Sequence, residues 1–214
     1  MNSITLEKTL PRVFVNEDIP GSDVWKSEIT FKKGESYLIE AVSGGGKSSM
    51  CAYIFGARTD YEGRILFDGE DVSSLTVNDW LSLRRTSLAY LPQELSLFPE
   101  LTAWENIQLK NRLTNHASDK QIEQWMEQIG IAFRRDFPVG RMSIGQQQRV
   151  AIVRSICQPF DFIMVDEPVS HLDDRNNDIA ATIISEEAQR QGAGIISTSV
   201  GNHLHINYTS RLKL

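Results

Sequence analysis

No apolar run in the sequence is long enough to cross a bilayer. Stretches such as Phe162-Ile163-Met164-Val165 fall far short of the roughly 18 residues a spanning helix needs. The segment from Met1 to Phe14 also lacks the basic and apolar regions of a signal peptide. Both absences predict a cytoplasmic chain. Cysteine is scarce: the two thiols, Cys51 and Cys157, stand far apart in apolar helical stretches. This excludes a disulfide framework or a cysteine metal site and predicts buried free thiols. A basic tract is missing too. With 22 Lys and Arg against 28 Asp and Glu, the net charge is −6, which argues against nucleic acid as a partner. Neither an internal repeat nor a low-complexity segment occurs. What remains is a chain of 214 residues, 41% of them hydrophobic, enough for one sizeable domain with a real core.

Strand-like and helix-like stretches alternate. Tyr37 to Val42 is a short apolar run ending in a glycine-rich turn, and Ser48 to Phe55 then reads as a helix. Arg64 to Phe67 followed by Asp68-Gly69 predicts an antiparallel hairpin, because Asp-Gly readily takes the positive φ angles of a tight turn. Ser87 to Leu91 reads as a strand stopped by Pro92. From about Leu95 to Arg141 the chain is helical and more polar. Thr102 with Glu105, and Ser118 with Gln121, have the spacing of capping boxes that open helices. Ile122, Trp125, Met126 and Ile129 fall on one helical face, read as core, and Gly130 is placed to end that helix. There follow a helix from Ser143 to Cys157, a strand from Phe162 to Val165, a helix from about Arg175 to Arg190 and a strand from Ile195 to Thr198. Such alternation predicts an α/β fold with a mainly parallel sheet, an antiparallel part near the N-terminus and an inserted helical subdomain.

Ala41-Val42-Ser43-Gly44-Gly45-Gly46-Lys47-Ser48 lies between a predicted strand and a predicted helix, the setting of a phosphate-binding P-loop. Glycines leave backbone amides free to close around phosphate oxygens, and the helix start adds further amides and partial positive charge. Lys47 supplies a cation for the β and γ phosphates, and the Ser48 hydroxyl suits Mg²⁺, which takes compact oxygen ligands. Residues Ala41 through Ser49 are therefore the candidate cradle for ATP. Ala41 stands where this motif has its first glycine; a positive φ there would cost about 1 to 2 kcal/mol.

Further along, Tyr90-Leu91-Pro92-Gln93-Glu94, Leu97-Phe98-Pro99 and Leu101-Thr102-Ala103-Trp104-Glu105-Asn106-Ile107 resemble the Q-loop region of the ABC transporter ATPases. Met142-Ser143-Ile144-Gly145-Gln146-Gln147-Gln148-Arg149-Val150-Ala151-Ile152 is similar to that family's LSGGQ signature and the segment trailing it. Here Met142 replaces leucine, and Ile144 replaces the first glycine. Phe162 to Glu167 is like the Walker B strand, and Ser170-His171-Leu172-Asp173 resembles the D-loop.

The resemblance implies a P-loop NTPase core over 1–93 and 150–214 and a helical signature subdomain over 94–149. It implies that Gln93 reaches the Mg²⁺ and the attacking water, that Asp166 orients the Mg²⁺, and that Glu167 polarises the water. Ser143, Gly145 and Gln146 would face the γ-phosphate of a second subunit, and Asp173 would couple the two composite sites. Phe14, and as a second candidate Trp25, would stack on adenine. Ser199 occupies the position of the family's γ-phosphate histidine, and its reach is shorter; His203 and His205 lie just beyond. The implied function is ATP hydrolysis in a head-to-tail dimer, with a second copy or a paralogous ATPase subunit. This would drive an integral-membrane permease at the inner face of the cell membrane, most similarly to lipoprotein-releasing and macrolide-exporting ATPases. Two alternatives stand beside it: an ATP-gated regulatory dimer with little hydrolysis, and a small P-loop kinase.

Overall fold

The computed structural model describes residues 1–17 and 21–214. Its first elements are β1 (Ser3–Pro11), β2 (Glu28–Lys32), β3 (Ser36–Glu40), α1 (Lys47–Ile54), β4 (Tyr61–Phe67) and β5 (Glu70–Asp71). Next come α2 (Val77–Thr86), β6 (Leu88–Leu91), α3 (Ala103–Asn111), α4 (Asp119–Gln128) and α5 (Ile144–Ile156). The chain closes with β7 (Phe162–Asp166), α6 (Asp174–Gln191), β8 (Gly194–Ser199) and β9 (Ser210–Lys213).

The strands form two sheets. One is antiparallel, in the order β2-β1-β4-β5; the other has the order β6-β7-β8-β3-β9, with every pairing parallel. The β4–β5 hairpin turns on Asp68 and Gly69 at φ 51° and 87°, the left-handed pair expected of Asp-Gly. In the parallel sheet, alternate residues of β7 serve two cores. Phe162 and Met164 join the cluster under α1 and the antiparallel sheet, whereas Ile163 and Val165 join the cluster beneath the helical segment and α6. A strand buried on both faces needs this unbroken apolar run, and each such side chain contributes about 1.5–3 kcal/mol by leaving water.

Helix starts follow local chemistry. Reciprocal capping boxes open α3 at Thr102 and Glu105 and α5 at Ser143 and Gln146. At α4 only half of the expected box forms: Ser118 accepts from the Gln121 amide with no bond in return. The apolar face of α4 is buried as its periodicity predicts, with Ile122, Trp125, Met126 and Ile129 inside. Cys51 and Cys157 are buried free thiols. Four elements escaped the sequence reading: strands β1 and β2, helix α2 and strand β9. Helix α2 has no fully buried residue; of its apolar side chains only Trp80 and Leu83 rest half-buried against the core. Strand β9 alternates only between half-buried and exposed positions at the sheet edge.

Candidate functional site

All the motif residues from the parallel sheet stand at one end of it, because every strand runs the same way. β3 runs into the glycine-rich loop, β6 toward Gln93, β7 into Asp166 and Glu167, and β8 into Ser199. The register aligns Glu40 with Ser199 and Asp166 with Thr198. Carboxyl ends of parallel strands at a change of strand order are where α/β sheets bind ligands. A pocket of about 350 Å³ opens there, lined by Ser43, Gly44, Gly46, Lys47, Ser48, Ser49, Gln93, Glu167 and Val200. A wider cleft of about 510 Å³ between Tyr53, Tyr61 and Trp80 lacks the P-loop and its convergent polar groups, so size alone does not select the site.

The loop keeps its cradle shape through glycine and through Lys47. Gly44 and Gly46 take φ of 84° and 93°, a region that carries no penalty for glycine. Ala41 does not adopt a left-handed φ, so the strain anticipated at that substitution does not arise; its amide donates to Ser199 O at 3.2 Å. Lys47 is 4% exposed. Its Nζ donates to Val42 O at 3.1 Å and Ala41 O at 3.4 Å and lies 3.6 Å from Glu167 Oε1. The ammonium thus sits across the mouth of the loop, between backbone carbonyls and a carboxylate.

Asp166 and Glu167 are held differently although they are neighbours. Asp166 is 1% exposed; its Oδ1 accepts from the Thr198 hydroxyl at 2.6 Å, and its Oδ2 is buried without a partner. Leaving a buried carboxylate oxygen unpaired is costly, which makes Asp166 a ready ligand for a cation or its water. Glu167 has φ 49°, unusual for a residue with a side chain. Its amide donates to Thr198 Oγ1 at 3.1 Å, and its Oε2 lies 3.4 Å from Gln93 Nε2. Thr198 therefore ties both acidic residues to β8 through one hydroxyl. Sequence reading placed Thr198 only as a strand residue, since this role depends on the pairing of β7 with β8. The Cys51 thiol beneath is pushed well up by burial, with the nearby Asp166 charge adding to the effect.

The loop after Gln93 is pinned by Arg154, which donates to Leu95 O at 2.6 Å and Ser96 O at 2.7 Å. Phe14 is half-buried at the end of a 3-10 turn, Arg12–Phe14, beside Gly46. Trp25 is only 3% exposed and donates from Nε1 to Gly45 O at 3.1 Å; its indole packs on the P-loop and offers no free face for stacking.

Ser199 is fully buried, outside the pocket lining. Its hydroxyl donates to Asn202 O at 2.8 Å and accepts from the Gly201 amide at 3.0 Å. The next residue, Val200, faces the pocket instead. His203 Nδ1 sits 3.0 Å from Leu204 O with its ring against Tyr208, and His205 Nδ1 sits 2.6 Å from Asp178 Oδ1. Neither histidine lines the pocket.

Ser143, Gly145, Gln146 and Asp173 also stand apart from this pocket. Ser143 and Gln146 close their capping box at the N-terminus of α5, and Asp173 caps α6 by accepting from the Asn176 amide at 2.8 Å. Gly145 packs so close to His171 O that a Cβ there would come within 2.9 Å. Buried Gln148 connects the two segments: its Oε1 accepts from the His171 amide at 3.1 Å, and its Nε2 donates to Pro168 O. The start of α5 and the loop after Glu167 therefore form one bonded unit.

Comparison with known proteins agrees with this arrangement. Residues 25–170 match the ABC transporter family. The chain is 29% identical over 169 residues to the cytochrome c biogenesis ATP-binding export protein CcmA of Haemophilus influenzae, covering 78% of this chain and 77% of that protein. It is 29% identical over 172 residues to the lipoprotein-releasing system ATP-binding protein LolD of Shewanella frigidimarina, covering 79% and 72%. Its fold matches the dimeric structure of the bacterial ABC transporter cassette MJ0796 with a TM-score of 0.74 at 24% identity, covering 92% of this chain and 87% of that one. From its P-loop, its acidic strand end, its signature helix and this match, the chain belongs to the ABC (ATP-binding cassette) transporter family.

Proposed function

We propose that this chain binds MgATP and hydrolyses it in a head-to-tail dimer, with a second copy or a paralogous ATPase subunit, to drive a permease in the membrane. The observation that carries this reading is the convergence of Lys47, Gln93 and Glu167 on one pocket above the unpartnered Asp166 Oδ2. The P-loop amides and Lys47 hold the triphosphate. Glu167 positions the attacking water and takes its proton, and Gln93, already 3.4 Å from Glu167, steadies the same water. Ser48, Gln93 and Asp166 are oxygen donors fit for Mg²⁺, and the chemistry a cation supplies there is neutralisation of charge on the β and γ oxygens. The reaction is in-line attack of water on the γ-phosphorus, with ADP leaving.

Ser143, Gly145 and Gln146 lie at a helix N-terminus suited to a phosphate but away from this chain's own pocket, which supports their service to a partner's nucleotide. The MJ0796 cassette, a dimer in that structure, is a fold-level parallel. The helical segment 94–149 is the part proposed to face the permease. Just past Gln93, Phe98 and Leu109 are about half exposed beside a cleft of about 270 Å³ that also contains Tyr90, Lys110 and Arg154. Among the described residues no helix is long and apolar enough to cross a membrane. The proposed location is accordingly the cytoplasmic face of the cell membrane, with the chain held there by a permease, and nucleic acid has no part in it.

A second reading, an ATP-gated dimer that hydrolyses slowly, is favoured by one observation: the Ser199 hydroxyl is turned into its own loop rather than toward the pocket. The family assignment removes the small kinase. The deciding experiment is a calorimetric titration with MgATP. Wild type binds, and Lys47→Ala, which loses the cation facing two phosphates, does not; equal affinity of the two proteins would defeat the proposal.

A further inference from the structure

Trp25 packs against the phosphate loop and is not among the residues that line the pocket. Its backbone is anchored first: the Ser22 hydroxyl accepts from the amides of Val24 at 3.2 Å and Trp25 at 2.8 Å, and the Lys26 amide donates to Thr9 O at 3.1 Å. From this held turn the indole reaches Gly45 O at 3.1 Å. A Cβ on Gly46 would lie 3.1 Å from Trp25 Cζ2 and 3.1 Å from Phe14 Cε2, so both rings rest directly on that glycine.

The consequence follows from peptide geometry. No peptide bond among the described residues is cis, and in a planar trans peptide the carbonyl and the following N–H point in opposite directions. Holding Gly45 O toward the indole therefore turns the Gly46 N–H the other way, to the side on which Gly46 lines the pocket. That amide has no protein acceptor among the described residues. Glycine on both sides would otherwise let this peptide flip at little cost. A buried donor on a fixed aromatic plate removes the alternative orientation.

We infer that Trp25 is a positioning residue for phosphate binding: its indole N–H locks the Gly45–Gly46 peptide with the Gly46 amide aimed at the nucleotide's phosphates. The inference rests on the proposed MgATP site and adds to it a residue that touches neither base nor phosphate. It also assigns the two aromatics different tasks. Half-buried Phe14 remains the candidate for the base, and Trp25 acts through the loop.

The test compares wild type, Trp25→Phe, and a protein carrying 3-benzothienylalanine at position 25, which keeps the shape of indole and replaces N–H with sulfur. Two probes are titrated by calorimetry or competition: ATP, and tripolyphosphate, which has no base. Loss of one hydrogen bond that orients the loop weakens both by the same factor, about three- to tenfold. The benzothienyl protein retains the packing and stands in for Trp25→Phe if the latter folds poorly. Weakening of ATP without weakening of tripolyphosphate would show that Trp25 acts on the base and would overturn the inference. Unchanged affinity for both probes would also overturn it. Failure of wild type to bind either probe is a separate outcome, which removes the MgATP proposal itself.

Discussion

Replacing Ser199 by histidine separates the two readings of turnover. In the structure the Ser199 hydroxyl makes two bonds, to the Gly201 amide and Asn202 O, in a fully buried position. Losing both costs about 1 to 3 kcal/mol at roughly 1 kcal/mol each, so Ser199→Ala melts a few degrees lower, at about 2–4 °C per kcal/mol for a chain of this size. An imidazole is larger than the hydroxyl it replaces at this fully buried position, whose neighbour Val200 lines the pocket, and the expected outcome is a ring that reaches the pocket. Once there it adds a donor where negative charge grows on the γ-phosphate. One such preorganised donor is worth about 2.7–4 kcal/mol, a hundred- to thousandfold in rate. Ser199→His is therefore expected to be less stable than wild type and faster, with ATP affinity little changed, while Ser199→Ala is less stable and no faster. His203→Ala and His205→Ala leave the rate unchanged, since those rings are engaged by Leu204, Tyr208 and Asp178. The assay is steady-state phosphate release at saturating MgATP, with a thermal melt of each protein. A brisk wild-type rate that collapses in either histidine variant refutes the reasoning, because the loop would then have supplied the missing donor.

Glu167→Gln, which removes the carboxylate beside the pocket, is expected to sediment as a dimer with MgATP and as a monomer without it; no change in mass at high protein concentration counts against the composite site. Cys51 and Cys157 should resist a thiol reagent near pH 8 in the native protein and react once it is unfolded. Burial pushes the Cys51 thiol well up and raises that of Cys157 to about 12, so neither forms thiolate at that pH, and fast native labelling would contradict their burial. Glu187 predicts a pH effect on stability. Burial pushes its pKa up, but bonds from Arg190, His116 and Gln191 outweigh this and hold it below the usual value. A depressed folded pKa contributes stability that is complete above the unfolded value of about 4.3 and is lost as pH falls through the folded one. Melting temperatures should therefore fall more steeply below about pH 4.5 in wild type than in Glu187→Gln, and parallel curves would refute the assignment.

Where a function needs neighbours in the chain, the sequence alone determined it. The P-loop is legible from Ala41 to Ser49 because its chemistry lies in consecutive amides, one lysine and one hydroxyl, and a strand before with a helix after needs only local patterning. The acidic pair at the end of β7 and the serine-capped start of α5 are legible for the same reason. Contacts between distant segments were decided by tertiary structure. Thr198 bridges Asp166 and Glu167 only because β7 and β8 pair in one register, and a single-residue slip would turn its hydroxyl to the other face. Trp25 suggested an adenine platform by residue type; burial against Gly46 and its bond to Gly45 O turned it into a support for the loop. At Ser199 the sequence determined which side chain was missing, and packing decided where the remaining hydroxyl points. Direction depends on which partners a buried polar group can reach, and those partners are assembled only when the sheet and its loops close around it.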